Sequence, residues 1–397
     1  MAKIKVLRII NRFNLGGPTF NAAYLSKYLD PDKFETLLVG GEKDGTEGSS
    51  LHITESLGLD PVIIPEMKRE IDFKDDYTAY KKLCEIIEEF QPDIVHTHAS
   101  KAGTIGRLAA RKMGVKNVYH TFHGHIFHSY FSKAKTTFFK HVEKRLAKSS
   151  TRIVAISDIQ KKELGEDHNI CDPKKIKVVP LGFDLGKFQE DVDLKRAKFR
   201  DEYKLAEDVI AVGIVGRLVP IKNHRLFLDA LALNNKRFNG KVKYFIVGDG
   251  ELREELESYC NEIGIAYSSP EINNEKANLV FTSWIEDMDR VVAGVDIVAL
   301  TSNNEGTPVS LIEAQAGNKP VVSTNVGGIE NVILNGETGY LSPREDAHAF
   351  ADNLLTLLEN KVLRESMSSK GWDNVGERYH YMRLVNDVEK MYLSDLN

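Results

Sequence analysis

The sequence predicts two α/β domains, each built on a parallel, doubly wound sheet. Three observations carry that expectation. Short apolar, β-branched runs alternate with amphipathic helical stretches along nearly the whole chain. The alternation pauses once, in the charged stretch Gln189 to Asp208, and then restarts. With 397 residues the chain is too long for one ordinary core, and the size prior gives roughly two to three domains.

The first half opens on a β-rich run, Ile4 to Ile10, then Gly16-Gly17-Pro18, then a helical pattern over Ala22 to Leu29. Further strands are expected at 36–39, 61–64, 94–96, 117–121, 153–156 and 176–179. Helices are expected between them, among them 76–90, where Tyr80, Leu83, Ile87 and Phe90 share one face, and 101–113. After Pro180-Leu181-Gly182-Phe183-Asp184 the stretch 189–208 reads as linker and helix. Strands then follow at 210–215, 243–247, 278–281, 296–300 and 320–323, with helices at 223–233, 251–263, 308–316 and 347–358. The domains therefore divide as 1–184 and 185–376. Ligands in such sheets collect beyond the carboxyl ends of the strands, which is where chemistry is to be sought.

Composition narrows the function. Hydrophobic residues make up 42% and charged ones 28%, a globular balance. Lys plus Arg number 53 against 58 Asp plus Glu, a net −5, which argues against a nucleic-acid partner. Cys84, Cys171 and Cys260 lie far apart, so neither a disulfide framework nor a zinc site is expected. No apolar run approaches 18 residues and no signal segment is legible, so a cytoplasmic location is expected.

Four clusters could carry chemistry. In Thr301-Ser302-Asn303-Asn304-Glu305-Gly306-Thr307-Pro308-Val309-Ser310-Leu311-Ile312-Glu313, a buried strand ends in a polar loop. Pro308 reads as the first helical residue with Thr307 as its cap. Glu305 and Glu313 could hold hydroxyls at two places on one elongated ligand, although a capped helix with an exposed Glu gives the same pattern. In Gly216-Arg217-Leu218-Val219-Pro220-Ile221-Lys222, two cations leave a strand end together, which suits a diphosphate, or are simply solvated. Gly248-Asp249-Gly250 lacks the third glycine of a dinucleotide fingerprint, Arg253 standing there, and reads as a tight turn with close ligand approach. Six of the twelve histidines, His96, His98, His120, His123, His125 and His128, fall at two strand ends. A metal there is disfavoured because no carboxylate lies beside them in sequence. Asp287-Met288-Asp289 has the form of a metal-binding D-x-D, but it precedes a helix start and reads as a cap.

In order, these pieces resemble the retaining glycosyltransferases of family 4, with the two-domain GT-B fold. The resemblance also includes His96-Thr97-His98, His120-Thr121-Phe122-His123 and Ala155-Ile156-Ser157-Asp158. It departs at Glu305-Gly306-Thr307-Pro308, where the family often has E-G-F-G, and at Ala314-Gln315-Ala316-Gly317-Asn318. The resemblance implies a nucleotide-sugar substrate, UDP-linked by preference, no metal and no cofactor. Arg217 and Lys222 would bind the diphosphate, Glu313 the ribose, and Glu305 the sugar with His123. Gly16, Gly17, Gly216, Gly248, Gly250, Gly306, Thr307 and Pro308 would line the donor site, and His98 and His125 the acceptor side. The acceptor would be a glycan or a polyprenyl-linked chain in envelope or capsule polysaccharide assembly. The terminal stretch 377–397 would cross back to the first domain. An epimerase or phosphorylase of the same fold, or a non-catalytic nucleotide-sugar-binding protein, stands as the rival reading.

One more face stands out. Over 131–148, Phe131, Ala134, Phe138, Val142 and Leu146 fall on one helical arc, with Lys133, Lys140, Lys144 and Lys148 on another. Two readings stand, a core-facing helix with a solvated lysine face, or peripheral contact with the anionic inner face of a membrane.

Overall fold

The computed structural model describes residues 2–13, 17–42, 51–68, 70–123 and 133–396, with the side chains of 52 and 133–135 excepted. The chain forms two compact units, Met1–Phe183 with Tyr379–Asn397, and Asp184–Arg378. Gly16, His125 and Phe131 lie outside the described residues, as do the side chains of Lys133 and Ala134.

The first unit holds β1 (Ile4–Arg12), β2 (Phe34–Gly41), β3 (Val62–Ile63), β4 (Ile94–His98), β5 (Asn117–Phe122), β6 (Arg152–Ala155) and β7 (Ile176–Val178). They form one sheet in the order β3-β2-β1-β4-β5-β6-β7, every described pair parallel. A parallel strand covered on both faces is largely apolar on both, which is why Val6 to Ile10 of β1 read as an apolar run interrupted only by Arg8. Leu7 and Ile9 pack under the helix Phe73–Phe90, and Val6 points to the other face. That helix starts three residues before the expected Asp76. Asp72 caps it, accepting from the Lys74 and Asp75 amides, while Phe73 is 89% exposed and gives no periodic signal.

The last helix, Tyr381–Leu396, belongs to this unit. Its Leu384, Val385, Val388, Met391 and Tyr392 pack with Val6, Leu25, Ile94, Tyr119 and Val154. Asp395 pairs with Arg152 at 2.7 Å and Glu389 with Lys33 at 2.8 Å.

The helix Lys133–Ser149 sits differently from its expected arc. Its buried residues include Glu143, Leu146 and Ala147, and Phe139 packs against the core. Glu143 is drawn inward by the fully buried Arg107, 2.6 Å away. That pair sets the rotation and leaves Phe138, expected inside, 64% exposed. Of the lysines, Lys148 is exposed and Lys140 lies 3.1 Å from His168 Nδ1. No helix among the described residues is long and apolar enough to cross a membrane.

The second unit holds β8 (Ile210–Val215), β9 (Val242–Val247), β10 (Tyr267–Ser268), β11 (Leu279–Ser283), β12 (Ile297–Leu300), β13 (Val321–Thr324) and β14 (Gly339–Ser342). The order is β10-β11-β9-β8-β12-β13-β14, again parallel throughout its described pairs. The edge strands β10 and β14 carry no legible apolar run, being short and part polar. The stretch 189–208 contains the helix Val192–Glu202. Connections leave β8 toward β9 on one side, and β12 lies on its other side. The strand order therefore switches between β8 and β12, the place where open sheets of this kind bind ligands.

Candidate active site

Two adjacent strands deliver the expected residues to this switch point. The loop after β8 carries Arg217 and Lys222, and the loop after β12 carries Glu305. The two loops are laced together. The Asn303 amide donates to the Ile221 carbonyl at 2.8 Å, Thr301 Oγ1 to the Lys222 carbonyl at 3.1 Å, and Asn223 Nδ2 to Asn303 Oδ1 at 3.2 Å. Lys222 Nζ lies 2.6 Å from Glu305 Oε1, which also accepts from Ser302 Oγ at 2.5 Å. Glu305 is only 10% exposed and Lys222 24%. Arg217 is exposed at the same strand end.

A third loop, which sequence reasoning missed, closes under Glu305. The Gly328 amide donates to the Glu305 carbonyl at 2.9 Å. Gly327 has φ +54°, and a Cβ there would sit 2.0 Å from the Glu305 carbonyl oxygen. At Gly328 it would sit 1.9 Å from that of Gly306. No other residue fits so close an approach. The legible signal was a glycine pair three residues past a buried strand, Thr324 to Gly327-Gly328.

Gly248 and Gly250 stand in a tight turn, as expected. Their closeness is to the chain itself, since a Cβ on Gly248 would meet the Gly216 carbonyl oxygen at 2.1 Å, and one on Gly250 that of Leu218 at 2.6 Å. Amides of Gly216, Leu218 and Leu252 tie the turn to the Arg217 loop through the carbonyls of Val247, Asp249 and Leu218. The pair shapes the cation-bearing loop.

The helix after Glu305 runs Val309–Ala316. Pro308 occupies the cap position rather than the first turn, with ψ 91°, and Thr307 makes no capping bond. Glu313 lies on its second turn. Burial pushes its carboxyl up to about 7, partly offset by Lys187 and reinforced by Asp289. Among the described residues, no hydrogen bond or ion pair satisfies it. The folded-state pKa is raised above the unfolded value of 4.5, so the cost is nil below that value and complete above about 7. Glu313→Gln is therefore expected to melt progressively above wild type as pH rises from 5 to 8. The gain is on the order of 1–3 kcal/mol, an upper bound because the side chain keeps some solvent contact. Melting curves that run parallel across that range would remove the assignment.

Asp287 stands at the cap of the helix Met288–Gly294, but its side chain makes no capping bond. Asp289 pairs with Lys195 at 2.9 Å instead. No group of three or more His, Cys, Asp or Glu among the described residues is arranged to hold a metal.

In the first unit, His96, His98 and His123 meet at the carboxyl ends of β4 and β5. His98 Nδ1 lies 2.9 Å from His123 Nε2, and the His96 and His98 rings stack at 4.5 Å. Burial holds all three well below the ordinary range, His123 down to about 3. His98, expected on the acceptor side, is buried with both ring nitrogens engaged, so its place is behind His123. Gly17 opens the helix Gly17–Tyr28.

Comparison with known proteins gives the class first. HepE from Anabaena, solved with UDP, matches with a TM-score of 0.80 at 19% identity, over 98% of this chain and 100% of that one. Sucrose-phosphate synthase from Thermosynechococcus elongatus matches at 0.80 and 17%, over 99% of each chain. The fold is that of the GT-B glycosyltransferases. Residues 15–187 match Glycosyltransferase Family 4, and residues 195–373 match Glycosyl transferases group 1. The UDP-Gal:alpha-D-GlcNAc-diphosphoundecaprenol alpha-1,3-galactosyltransferase of Escherichia coli is 30% identical over 341 residues, 83% of this chain and 82% of its own. The capsular polysaccharide biosynthesis glycosyltransferase CapM of Staphylococcus aureus is 27% identical, over 83% and 84%. The chain belongs to glycosyltransferase family 4.

Proposed function

We propose that the protein transfers a sugar, with retention, from a UDP-sugar to a lipid-linked or glycan acceptor in envelope polysaccharide assembly. The observation that carries this is the Lys222–Glu305 pair at the β8/β12 switch point, with Arg217 on the same loop as Lys222 and Glu313, which has no side-chain partner among the described residues, on the following helix. Sugar transfer leaves a diphosphate whose negative charge grows in the transition state. Cations already in place stabilise that charge selectively. Arg217 and Lys222 take the diphosphate, Glu313 accepts from the ribose hydroxyls, and Glu305 holds the sugar, with the Gly306-Thr307 backbone assisting. His123 donates to the sugar being transferred. Departure of the diphosphate and attack on the same face account for retention. The names of the E. coli and S. aureus relatives support the acceptor class, and HepE supports the UDP donor.

The test is a panel of UDP-, GDP- and ADP-sugars, followed for slow hydrolysis without acceptor and for transfer with one, each run with and without EDTA. UDP-sugar turnover that is unchanged by chelator is expected, because side chains handle the charge. Activity that vanishes with EDTA and returns with Mg²⁺ or Mn²⁺ would reverse the metal-independent reading. Epimerised donor would indicate the epimerase instead, a phosphate requirement the phosphorylase, and binding without turnover a carrier.

Lys133, Lys140, Lys144 and Lys148 are the proposed membrane-facing residues, Lys148 being exposed and Lys140 and Lys144 half-buried. Each lysine near anionic lipid is worth about 1 kcal/mol, so binding is peripheral and salt-sensitive. Wild type is expected to pellet with anionic liposomes at low salt, and a Lys133/Lys140/Lys144/Lys148→Glu variant to stay in solution. Equal pelleting of the two would make the helix purely structural.

A further inference from the structure

Arg8 is a charged side chain in the middle of β1, fully buried. Among the described residues no carboxylate reaches it, and its Nε and Nη2 have no partner. What it does reach is the histidine group. Its Nη1 lies 3.2 Å from His96 Nδ1, 3.4 Å from His98 Nε2 and 3.4 Å from the Tyr392 hydroxyl. Burying a guanidinium without a counter-charge is expensive, so its retention asks for a role.

The donor inventory supplies one. A guanidinium donates and never accepts, and the two hydrogens on Nη1 serve the Tyr392 hydroxyl oxygen and His98 Nε2, so His98 Nε2 must be unprotonated. The Tyr392 hydroxyl, accepting from Arg8, donates to His96 Nδ1 at 2.5 Å, and His96 Nε2–H donates to Thr121 Oγ1 at 2.7 Å. His98 Nε2 accepts from Arg8, so the proton of that neutral ring lies on Nδ1 and is donated to His123 Nε2 at 2.9 Å. His123 in turn carries its proton on Nδ1. That nitrogen is buried and has no partner among the described residues. Burial keeps all three rings neutral, with the Arg8 charge adding to it at His96 and His98, which is the condition for a relay of tautomers.

We infer that Arg8 is a positioning residue that sets the tautomer of His98 and, through it, of His123, so that His123 presents Nδ1–H as a hydrogen-bond donor to the transferred sugar. This rests on the proposed role of His123. Without Arg8 both tautomers of each ring become available, and His123 turns an acceptor toward hydroxyls in part of the population.

The test uses the full-length enzyme with ¹⁵N-labelled histidine side chains. Long-range proton–nitrogen correlations report the tautomer of each ring, and His98→Gln and His123→Gln assign the signals. Nδ1–H is expected at both rings in wild type, with mixed tautomers in Arg8→Met and the wild-type pattern largely restored in Arg8→Lys. In Arg8→Met, kcat should fall about ten- to hundredfold, the size seen when an orienting partner of a functional histidine is removed, with KM for the UDP-sugar little changed. Melting should be unchanged or higher, because an unpaired buried charge is gone. An Nε2–H proton on His123 in wild type, or tautomers unaltered in Arg8→Met, would overturn the inference. So would altered tautomers with unaltered kcat. Loss of all transfer activity in wild type would refute the proposed function, while the tautomer signals still decide the relay.

Discussion

Lys222→Ala is expected to reduce turnover by about 10²–10³, the cost of removing one preorganised donor from a developing anion. The lysine sits in the short turn Pro220–Lys222, held by the Asn303 and Thr301 bonds, so its ammonium is placed before any substrate arrives. Glu305 is its partner in the ligand-free chain at 2.6 Å. A diphosphate must compete with that carboxylate, and the ammonium can serve both because it has three donors. In the variant Glu305 keeps its Ser302 bond, so melting should drop only slightly. Arg217→Ala is expected to lose a similar factor from the exposed side of the same loop, leaving the fold unchanged. Because Lys222 and Glu305 touch, Lys222→Ala/Glu305→Gln should lose less than the product of the single effects. Near-normal turnover in either cation variant, at wild-type melting temperature, would dismiss these residues from the transfer step.

Much of this arrangement was legible in the sequence, for a physical reason. Parallel strands buried on both faces are largely apolar, so β1, β8, β9 and β12 announce themselves, and function collects at their carboxyl ends. Arg217, Lys222 and Glu305 were proposed on that ground, and Glu313 on the helix that follows. What stayed hidden depends on contacts between distant segments. Nothing local says that Lys222 grips Glu305, 83 residues on, or that Gly248 is a glycine because the Gly216 carbonyl lies against it. The rotation of the helix Lys133–Ser149 is decided by one buried pair, Arg107–Glu143, that apolar periodicity does not count. His98 was expected on the acceptor side because the guanidinium it meets comes from β1, 90 residues away, and is invisible in its own segment. Arg8 itself was visible only as a charge interrupting an apolar run, and that interruption deserved the question.

A chain ending at Arg378 is expected to lose the first unit's fold while the second unit keeps its own. The helix Tyr381–Leu396 is remote in sequence, yet Leu384, Val385, Val388, Met391 and Tyr392 complete one face of the first sheet. Burying such side chains is worth about 1.5–3 kcal/mol each, so five together rival the roughly 5–15 kcal/mol by which a whole domain is stable. Deletion would also strip Asp395 from Arg152 and Tyr119, and the Tyr392 hydroxyl from His96. A buried Arg8 would then face water beside exposed Val6, Ile94 and Val154. The expected calorimetric trace has one transition, from the second unit, where wild type has both units melting. Histidine ring signals from β4 and β5 should collapse to unfolded positions in the same sample. If the shortened chain instead keeps dispersed signals for His96 and His98 and melts like wild type, the terminal helix is an ornament on a sheet that is stable without it.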